Sequence, residues 1–171
     1  MEKRSVEAVV AAFDAHGCRY LIAGGLAVVA HGYVRTTRDI DVVLALDRDN
    51  ALRAVAALKA LGYRPMVPVA IEDLADEGER RRWMEEKNAV VLRLHSEAHR
   101  TTPIDIFVVE PFEFDRAHGE AHREEVTPGL QAAFVGFDDL IRMKRAAGRP
   151  QDLADIHQLS KIRERLDEEE P

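Results

Sequence analysis

The sequence is short of three things: cysteine, long apolar runs, and basic residues in excess of acidic ones. Cys18 alone cannot form an intramolecular disulfide, and residues 1–12 alternate charged with apolar side chains instead of forming a signal peptide, so we expect a cytoplasmic protein. The longest apolar run, 21–30, contains two glycines and is shorter than the ~18 to 20 residues of a membrane-spanning helix, so we expect no membrane role. The net charge of -7 argues against a surface that neutralises many nucleic-acid phosphates and leaves only local contact with a polynucleotide open.

The composition is that of one globular domain. The 171 residues are 46% hydrophobic and 32% charged, far from the composition of disordered or collagen-like chains. We therefore expect a single domain over residues 1–171, with a core at about 19–135 and a C-terminal helical segment at about 137–167. The acidic run 168–170 is expected to extend into solvent.

The hydrophobic spacing alternates between helical and extended patterns. The predicted strands are 20–23, 40–46, 89–95, 104–109 and, more weakly, 132–135, and the predicted helices are 6–13, 26–31, 47–61, 71–87, 137–147 and 152–166. A polar turn between 89–95 and 104–109 predicts a hairpin, while the stretch 111–129 shows no clear pattern. This order indicates an α/β (α+β) fold in which a small mixed β-sheet is flanked by helices.

The motif Asp39-Ile40-Asp41 brings two acidic side chains together. Side chains alternate across an extended chain, so Asp39 and Asp41 project from the same face while Ile40 points to the other. Two adjacent carboxylates repel each other unless a cation or a shared proton compensates them. A hard divalent ion that also accepts phosphate oxygens is the simplest compensation, which predicts a Mg²⁺ site, with Mn²⁺ as the alternative.

Asp105 supplies a possible third carboxylate, in a strand whose neighbours are all apolar. Burial of an isolated charge is costly, so this side chain requires a cationic partner. One hypothesis makes Asp105 a metal ligand, which requires its strand to lie beside the strand of Asp41 and its carboxylate to approach Asp39 or Asp41 within roughly 6 Å. The alternative makes it a structural acid that pairs with Arg93 and points away from the other two aspartates.

Gly24-Gly25 lies between a predicted strand and a short helix. Glycines without a Cβ would let the backbone approach a phosphate closely, and the following helix offers free amide groups. If the extended chain reaches back from Asp39, Arg35 and Thr37 share the face of the two aspartates and add an anion-binding group. The pair matches neither the GTPase phosphate loop nor the dinucleotide-binding turn.

The combination of a glycine pair, a spacer, Asp-Ile-Asp and a later single Asp in a strand resembles the DNA polymerase beta-like nucleotidyltransferase superfamily. Within it the chain resembles the AbiEii-like branch of minimal nucleotidyltransferases over roughly residues 19–160. The residues that carry this narrower resemblance are Gly24-Gly25-Leu-Ala, His31-Gly32, Arg35, Thr37, Asp39-Ile-Asp41, the Asp-Leu-Ile-Arg-Met-Lys144 segment and Asp152-Leu-Ala-Asp155-Ile.

The resemblance implies a metal-dependent enzyme. It would transfer a nucleoside monophosphate from an NTP to an acceptor hydroxyl or phosphate and release pyrophosphate, with Asp39, Asp41 and Asp105 as catalytic metal ligands. Some members of the branch are toxins that modify transfer RNA, and more distant relatives adenylylate aminoglycoside or lincosamide antibiotics. The acceptor is therefore left open as tRNA or other RNA, a protein, or a small molecule.

Two further interpretations stay open from the residues. Lys144 either contacts phosphate, together with Gly24, Gly25, Arg35 and Thr37, or belongs to a solvated basic helix face. Asp152 and Asp155 lie at the start of the last predicted helix, where the helix dipole stabilises acidic side chains, so a structural role is expected for them.

The competing functional hypothesis is a non-catalytic nucleotide- or partner-binding protein of the same fold, such as a toxin-antitoxin component with a protein partner or a homo-oligomer.

Overall fold

Seven strands form one mixed sheet in the computed structural model, which describes residues 1–169. The strands are β1 Tyr20–Ile22, β2 Ile40–Leu44, β3 Arg64–Pro65, β4 Val91–His95, β5 Ile104–Phe107, β6 His122–Thr127 and β7 Leu130–Phe134, and their order in the sheet is β3-β4-β5-β2-β1-β7-β6. Glu170 and Pro171 lie outside the described residues, and with them the end of the acidic run 168–170.

Helices flank this sheet. They are α1 Lys3–Ala15, α2 Gly24–Ala30, α3 Arg48–Ala60, a 3-10 helix Ile71–Ala75, α4 Glu77–Lys87, α5 Phe114–Gly119, α6 Phe137–Ala147 and α7 Pro150–Glu169. Asp47 begins α3 by accepting a hydrogen bond from the Asn50 amide, a capping contact worth about 1 kcal/mol. No helix within residues 1–169 is both long enough and apolar enough to cross a membrane.

The central strands place apolar and acidic residues on opposite faces. β2 and β5 are parallel neighbours, with Ile40 opposite Ile104 and Asp41 opposite Asp105. The two isoleucines are fully buried, and each contributes about 1.5–3 kcal/mol from the transfer of its side chain out of water. Because the strands alternate, burial of the isoleucines on one face directs the aspartates to the other.

The α/β class with a mixed sheet and C-terminal helices is confirmed, and so is the β4–β5 hairpin, whose strands pair antiparallel. The sheet is larger than expected because β3 and β6 were not predicted, and helix α5 was not predicted either. β6 is a mostly charged edge strand with exposed residues, β3 has only two residues, and α5 has six, so none has an apolar period. The predicted helix 71–87 is two elements, since Asp76 caps a new helix by accepting from the Glu79 amide.

Candidate active site

One cavity of about 820 Å³ collects every predicted site residue. Strands β2, β4 and β5, the start of α2 and the loop before β2 supply one side, and α6 with the α6–α7 connection supplies the other. The predicted residues that line it are Gly24, Gly25, Arg35, Thr37, Asp39, Asp41, Asp105 and Lys144. The sequence thus identified residues that are far apart in the chain and adjacent in space.

The glycine pair packs against side chains of the cavity. Gly24 has a φ of +58°, and a Cβ there would lie 2.5 Å from Cγ of Asp41 and closer still to Oδ2. A Cβ on Gly25 would lie 2.7 Å from Cβ of Thr37. Helix α2 begins at Gly24, so the predicted glycine turn followed by a helix at 26–31 was wrong in its boundary. Both glycines are therefore required for contacts within the protein, whether or not a phosphate also approaches them.

Arg35 and Thr37 line the cavity from a loop and not, as expected, from an extension of strand β2. Strand β2 begins at Ile40, and residues 33–38 form a loop, so the extended alternation does not reach back to them. Arg35 is instead fixed by Asp155, whose Oδ2 accepts a hydrogen bond from Nη2 at 2.9 Å while Nε lies 2.8 Å from Oδ1. The guanidinium is thus positioned by helix α7.

The three aspartates share one electrostatic environment. Burial, and then the charges of Asp39 and Asp105, raise the pKa of Asp41 to about 6. Burial also raises the pKa of Asp105, with Asp39 adding to the effect and Arg93 opposing it. The negative charge of Asp39 acts on both of the other carboxyl groups, so the three aspartates form one acidic cluster.

Arg93 compensates part of this charge. It lies opposite Asp105 in the β4–β5 register, and its Nε is 3.4 Å from Asp105 Oδ1. Its Nη2 also donates a hydrogen bond of 3.0 Å to Asp39 Oδ2. We expected a neighbouring Asp105 strand and an Arg93 partner to exclude each other, and this expectation was wrong because the arginine spans both carboxylates.

The site fits a divalent cation in its chemistry. Asp105 Oδ1 is buried without a hydrogen-bond partner, and the half-buried Asp41 is influenced by the charges of two further acids. Within residues 1–169, however, no three carboxylate, imidazole or thiol groups already stand in a metal-binding arrangement. Arg93 pairs with Asp39 and Asp105, the carboxylates that such an ion would bind. Carboxylate oxygens are the ligands that Mg²⁺ and Mn²⁺ prefer, so the ion would have to displace the guanidinium.

Lys144 is buried between helices α6 and α7. Only 4% of it is exposed, and its Nζ lies 3.1 Å from Asp152 Oδ1 and 2.7 Å from Asp155 Oδ2. The alternative of a solvated basic face was therefore wrong. Burial alone would raise the pKa of Asp155, but hydrogen bonds led by that of Lys144 outweigh it and lower the pKa. Asp152 and Asp155 thus bind cationic side chains, which the helix dipole alone did not predict.

Sequence reasoning missed several contributors to the cavity. Arg93 was considered only as a structural partner, although its position opposite Asp105 in a predicted hairpin was a usable signal. Arg149 also lines the cavity, and its Nε lies 2.7 Å from Asp152 Oδ2. It stands in the link between two helices, where no periodicity indicates direction. The arrangement as a whole combines a carboxylate cluster with fixed cationic groups, which suits a phosphate ester and a metal ion together.

Solved structures share this architecture. The lincosamide antibiotic adenylyltransferase LnuA with bound lincomycin matches with a TM-score of 0.57 and 17% identity over 88% of this chain and 90% of that one. ANT(2'')-Ia in complex with adenylyl-2''-tobramycin matches with a TM-score of 0.55 and 16% identity over 94% of this chain and 92% of that one. The solution structure of ANT(2'')-Ia matches with a TM-score of 0.58 and 17% identity over 97% of this chain and 91% of that one. The fold is therefore that of the nucleotidyltransferases, as the sequence predicted.

The sequence itself defines the family. A family model described as aminoglycoside-2''-adenylyltransferase matches residues 5–99, more than half of the chain, and the protein belongs to this family. No curated protein sequence matches it. The nucleotidyltransferase superfamily is confirmed, whereas the narrower AbiEii-like branch gains no support from these similarities.

Proposed function

We propose that the protein is a Mg²⁺-dependent nucleotidyltransferase that moves a nucleoside monophosphate from an NTP to an acceptor hydroxyl. The observation that carries the proposal is the register of Asp41 with Asp105 on neighbouring strands, beside Asp39, with Gly24 packed against Asp41 at the edge of one cavity. A protein that only bound a partner would have no evident need for three mutually repelling carboxylates at this position.

At the α-phosphorus the reaction forms one bond and breaks one. The acceptor oxygen bonds to the α-phosphorus, the bond from that phosphorus to the bridging oxygen breaks, and pyrophosphate leaves with the electron pair. The hydroxyl proton passes to the Asp105 carboxylate and from there to solvent. Mg²⁺ or Mn²⁺ held by Asp39, Asp41 and Asp105 would neutralise charge on the phosphate oxygens.

The cationic residues would bind and orient the triphosphate. Arg35 is fixed by Asp155, and Lys144 is fixed by the same carboxylate together with Asp152, so both groups are ordered before a ligand arrives. Preorganised charges stabilise a transition state without the cost of reorganisation at the moment of reaction. Gly25 lies beside Thr37 and Arg35, and together with Gly24 these residues would complete the phosphate side of the cavity.

ATP is the proposed donor, because the family and the similar structures are described as adenylyltransferases. The acceptor is proposed to be a small hydroxyl compound, since the named ligands of these structures are small molecules. The same similarities give no support to tRNA or another RNA as acceptor. A toxin-antitoxin role, and a protein partner or homo-oligomer, stay predictions from the resemblance to the AbiEii-like branch.

Incubation with each of the four NTPs, labelled at the α-phosphate, tests the proposal. The reactions contain Mg²⁺ and either a library of small hydroxyl compounds or cellular RNA. We expect labelled small-molecule product and pyrophosphate with ATP, and neither with the Asp41→Asn variant. Binding of ATP without product in any reaction would instead support a non-catalytic nucleotide-binding protein, and labelled RNA would restore the RNA acceptor.

A further inference from the structure

The cavity has an apolar side beyond Asp105. Phe107 follows Asp105 by two residues along β5, so both side chains project from the same face of the sheet, and Val109, in the bend after β5, lines the cavity as well. Val90 and Pro111 line the cavity with them. We refer to Val90, Phe107, Val109 and Pro111 as the apolar wall. It lies on the side of the aspartates opposite to Gly24, because β5 and β1 flank β2 on its two sides.

Two side chains of the apolar wall are exposed to solvent, although apolar side chains are more stable when buried. Val90 is 58% exposed and Val109 is 37% exposed, although both line a concave cavity. Each such side chain loses free energy by remaining in water, at roughly 25 cal/mol for each Å² of apolar surface. Exposed apolar side chains that adjoin polar groups in a cavity of this size are typical of a ligand subsite.

The charges of the cavity disfavour a polycationic ligand. Five cationic residues, Arg35, Arg38, Arg93, Lys144 and Arg149, line it against four aspartates. Arg93 already bonds Asp39 and approaches Asp105, while Lys144 and Arg149 bond Asp152. Asp41 is the fourth, and it belongs to the proposed metal site. Among the described lining residues, no carboxylate is left to bind several ammonium groups.

We propose that the acceptor is a hydroxyl compound with an apolar group and at most one positive charge, and that the apolar wall is its subsite. The inference rests on the proposed function, because Asp105 stands beside the wall and would receive the acceptor's hydroxyl proton. An aminoglycoside carries several ammonium groups at neutral pH and would need the carboxylates that this cavity has already engaged. The acceptor chemistry of this chain thus departs from that in its family's description.

Equilibrium binding of three probes tests the proposal in Ca²⁺, which permits association without turnover. Phenyl β-D-glucopyranoside offers hydroxyls and an apolar ring, methyl β-D-glucopyranoside offers the same hydroxyls without the ring, and tobramycin is a polycation. We expect the phenyl glucoside to bind about tenfold more tightly than the methyl glucoside, since partial burial of a phenyl ring supports that ratio. Tobramycin should not displace the phenyl glucoside at 0.15 M salt. Equal affinities of the two glucosides, or displacement by tobramycin, would overturn the proposal.

A pair of variants locates the binding. Val109→Ser should weaken binding of the phenyl glucoside about five- to tenfold and leave the affinity for the methyl glucoside unchanged. Val67→Ser is the matched control, because Val67 is 52% exposed and does not line the cavity. Equal effects of the two substitutions would refute the subsite. ATP affinity is measured separately in each variant, and the glucosides are compared with and without ATP. Failure of ATP to bind would count against nucleotidyl transfer, whereas failure of the glucoside comparison would count only against the acceptor class.

Discussion

Arg93 donates a 3.0 Å hydrogen bond to Asp39, and it does so from β4 across the intervening strand β5. The arginine therefore compensates, in the absence of a metal, the carboxylates to which a metal is proposed to bind. A guanidinium and a divalent cation cannot satisfy the same oxygen atoms at the same time. The two must compete, and the strength of that competition is measurable.

Substitution of Arg93 by Gln should tighten metal binding and weaken the metal-free fold. We expect the Kd for Mn²⁺ to fall about three- to tenfold, because a competing positive charge is removed. The free energy of unfolding in EDTA should fall by only about 0.5–1 kcal/mol, since the pair is partly exposed to solvent. Mn²⁺ titration followed by electron paramagnetic resonance and urea unfolding give the two quantities.

Arg64→Gln is the control for this experiment. Arg64 belongs to strand β3 of the same sheet and pairs with exposed Glu97 at 3.7 Å, so its loss changes the net charge equally. Mn²⁺ affinity should hardly change in this variant. If Arg93→Gln and Arg64→Gln affect Mn²⁺ alike, then Arg93 does not compete directly with the metal.

A methyl group at position 24 should damage both the fold and the site. Gly24→Ala combines a positive φ with overlap between the new Cβ and the Asp41 carboxylate, so we expect a loss of at least about 2 kcal/mol. Gly17→Ala has a similar φ of +62° but nothing within 4 Å of the new Cβ, and should cost about 1 kcal/mol. Urea unfolding measures both. Mn²⁺ affinity should fall in the first variant only, and equal affinities would show that Gly24 does not shape the acidic site.

Asp41 should make the metal-free protein less stable as the pH rises. Its pKa increases from 3.8 to about 6 on folding, so between these values the folded state keeps a proton that the unfolded state has released. Stability attributable to this group therefore falls from about pH 4 to about pH 6 and then stays low. Asp41→Asn removes the effect, so its free energy of unfolding should exceed that of the wild type by about 3 kcal/mol at pH 8 and match it below about pH 3.5.

Urea unfolding in EDTA across this pH range checks the prediction. The difference between the two proteins is the relevant quantity, because the other titrating groups are common to both. A difference that is constant with pH would contradict the electrostatic account of Asp41. Addition of Mg²⁺ and ATP should raise the melting temperature of the wild type and leave that of Asp41→Asn unchanged.

Asp155→Asn, in contrast to Asp41→Asn, should lower the free energy of unfolding. The fully buried Asp155 carboxylate bonds Arg35 and Lys144, and its loss leaves Lys144 buried with only Asp152 as a carboxylate partner. We expect a loss of about 3 kcal/mol at pH 7, together with weaker ATP binding in Ca²⁺ because Arg35 is no longer fixed. Asp138→Asn is the control, since it removes an acid from the exposed Arg163–Asp138 pair and should cost less than about 1 kcal/mol. Similar losses in both variants would refute the positioning role of Asp155.

The predictable part of the site came from short-range pattern. Asp39-Ile-Asp41 and the lone Asp105 sit in apolar runs whose alternation fixes the face of each carboxylate, and parallel pairing of β2 with β5 then brings them together. The glycine pair was found from its position between a predicted strand and a predicted helix. Local spacing was sufficient because the apolar residues between the aspartates must be buried.

The unpredicted part depends on contacts between distant segments. Arg35 lies in a loop, and only helix α7 determines where its guanidinium points. Lys144 has the sequence context of a solvated helix, yet α7 covers it. β6 was missed because it is an edge strand with charged side chains and lacks an apolar period. Burial of a charge by a later element leaves no trace in the local sequence.

The bond between Arg35 and Asp155 joins residues 120 positions apart, and this separation orders the events of biosynthesis. A nascent chain leaves the ribosome with its N-terminal segments first. Arg35, and Lys144 after it in the chain, therefore have no Asp155 carboxylate to bind until α7 has emerged and docked. We expect the nascent chain to gain affinity for nucleotide only at that late step, so that ligand capture would distinguish nascent chains in which α7 has docked from chains stalled before it.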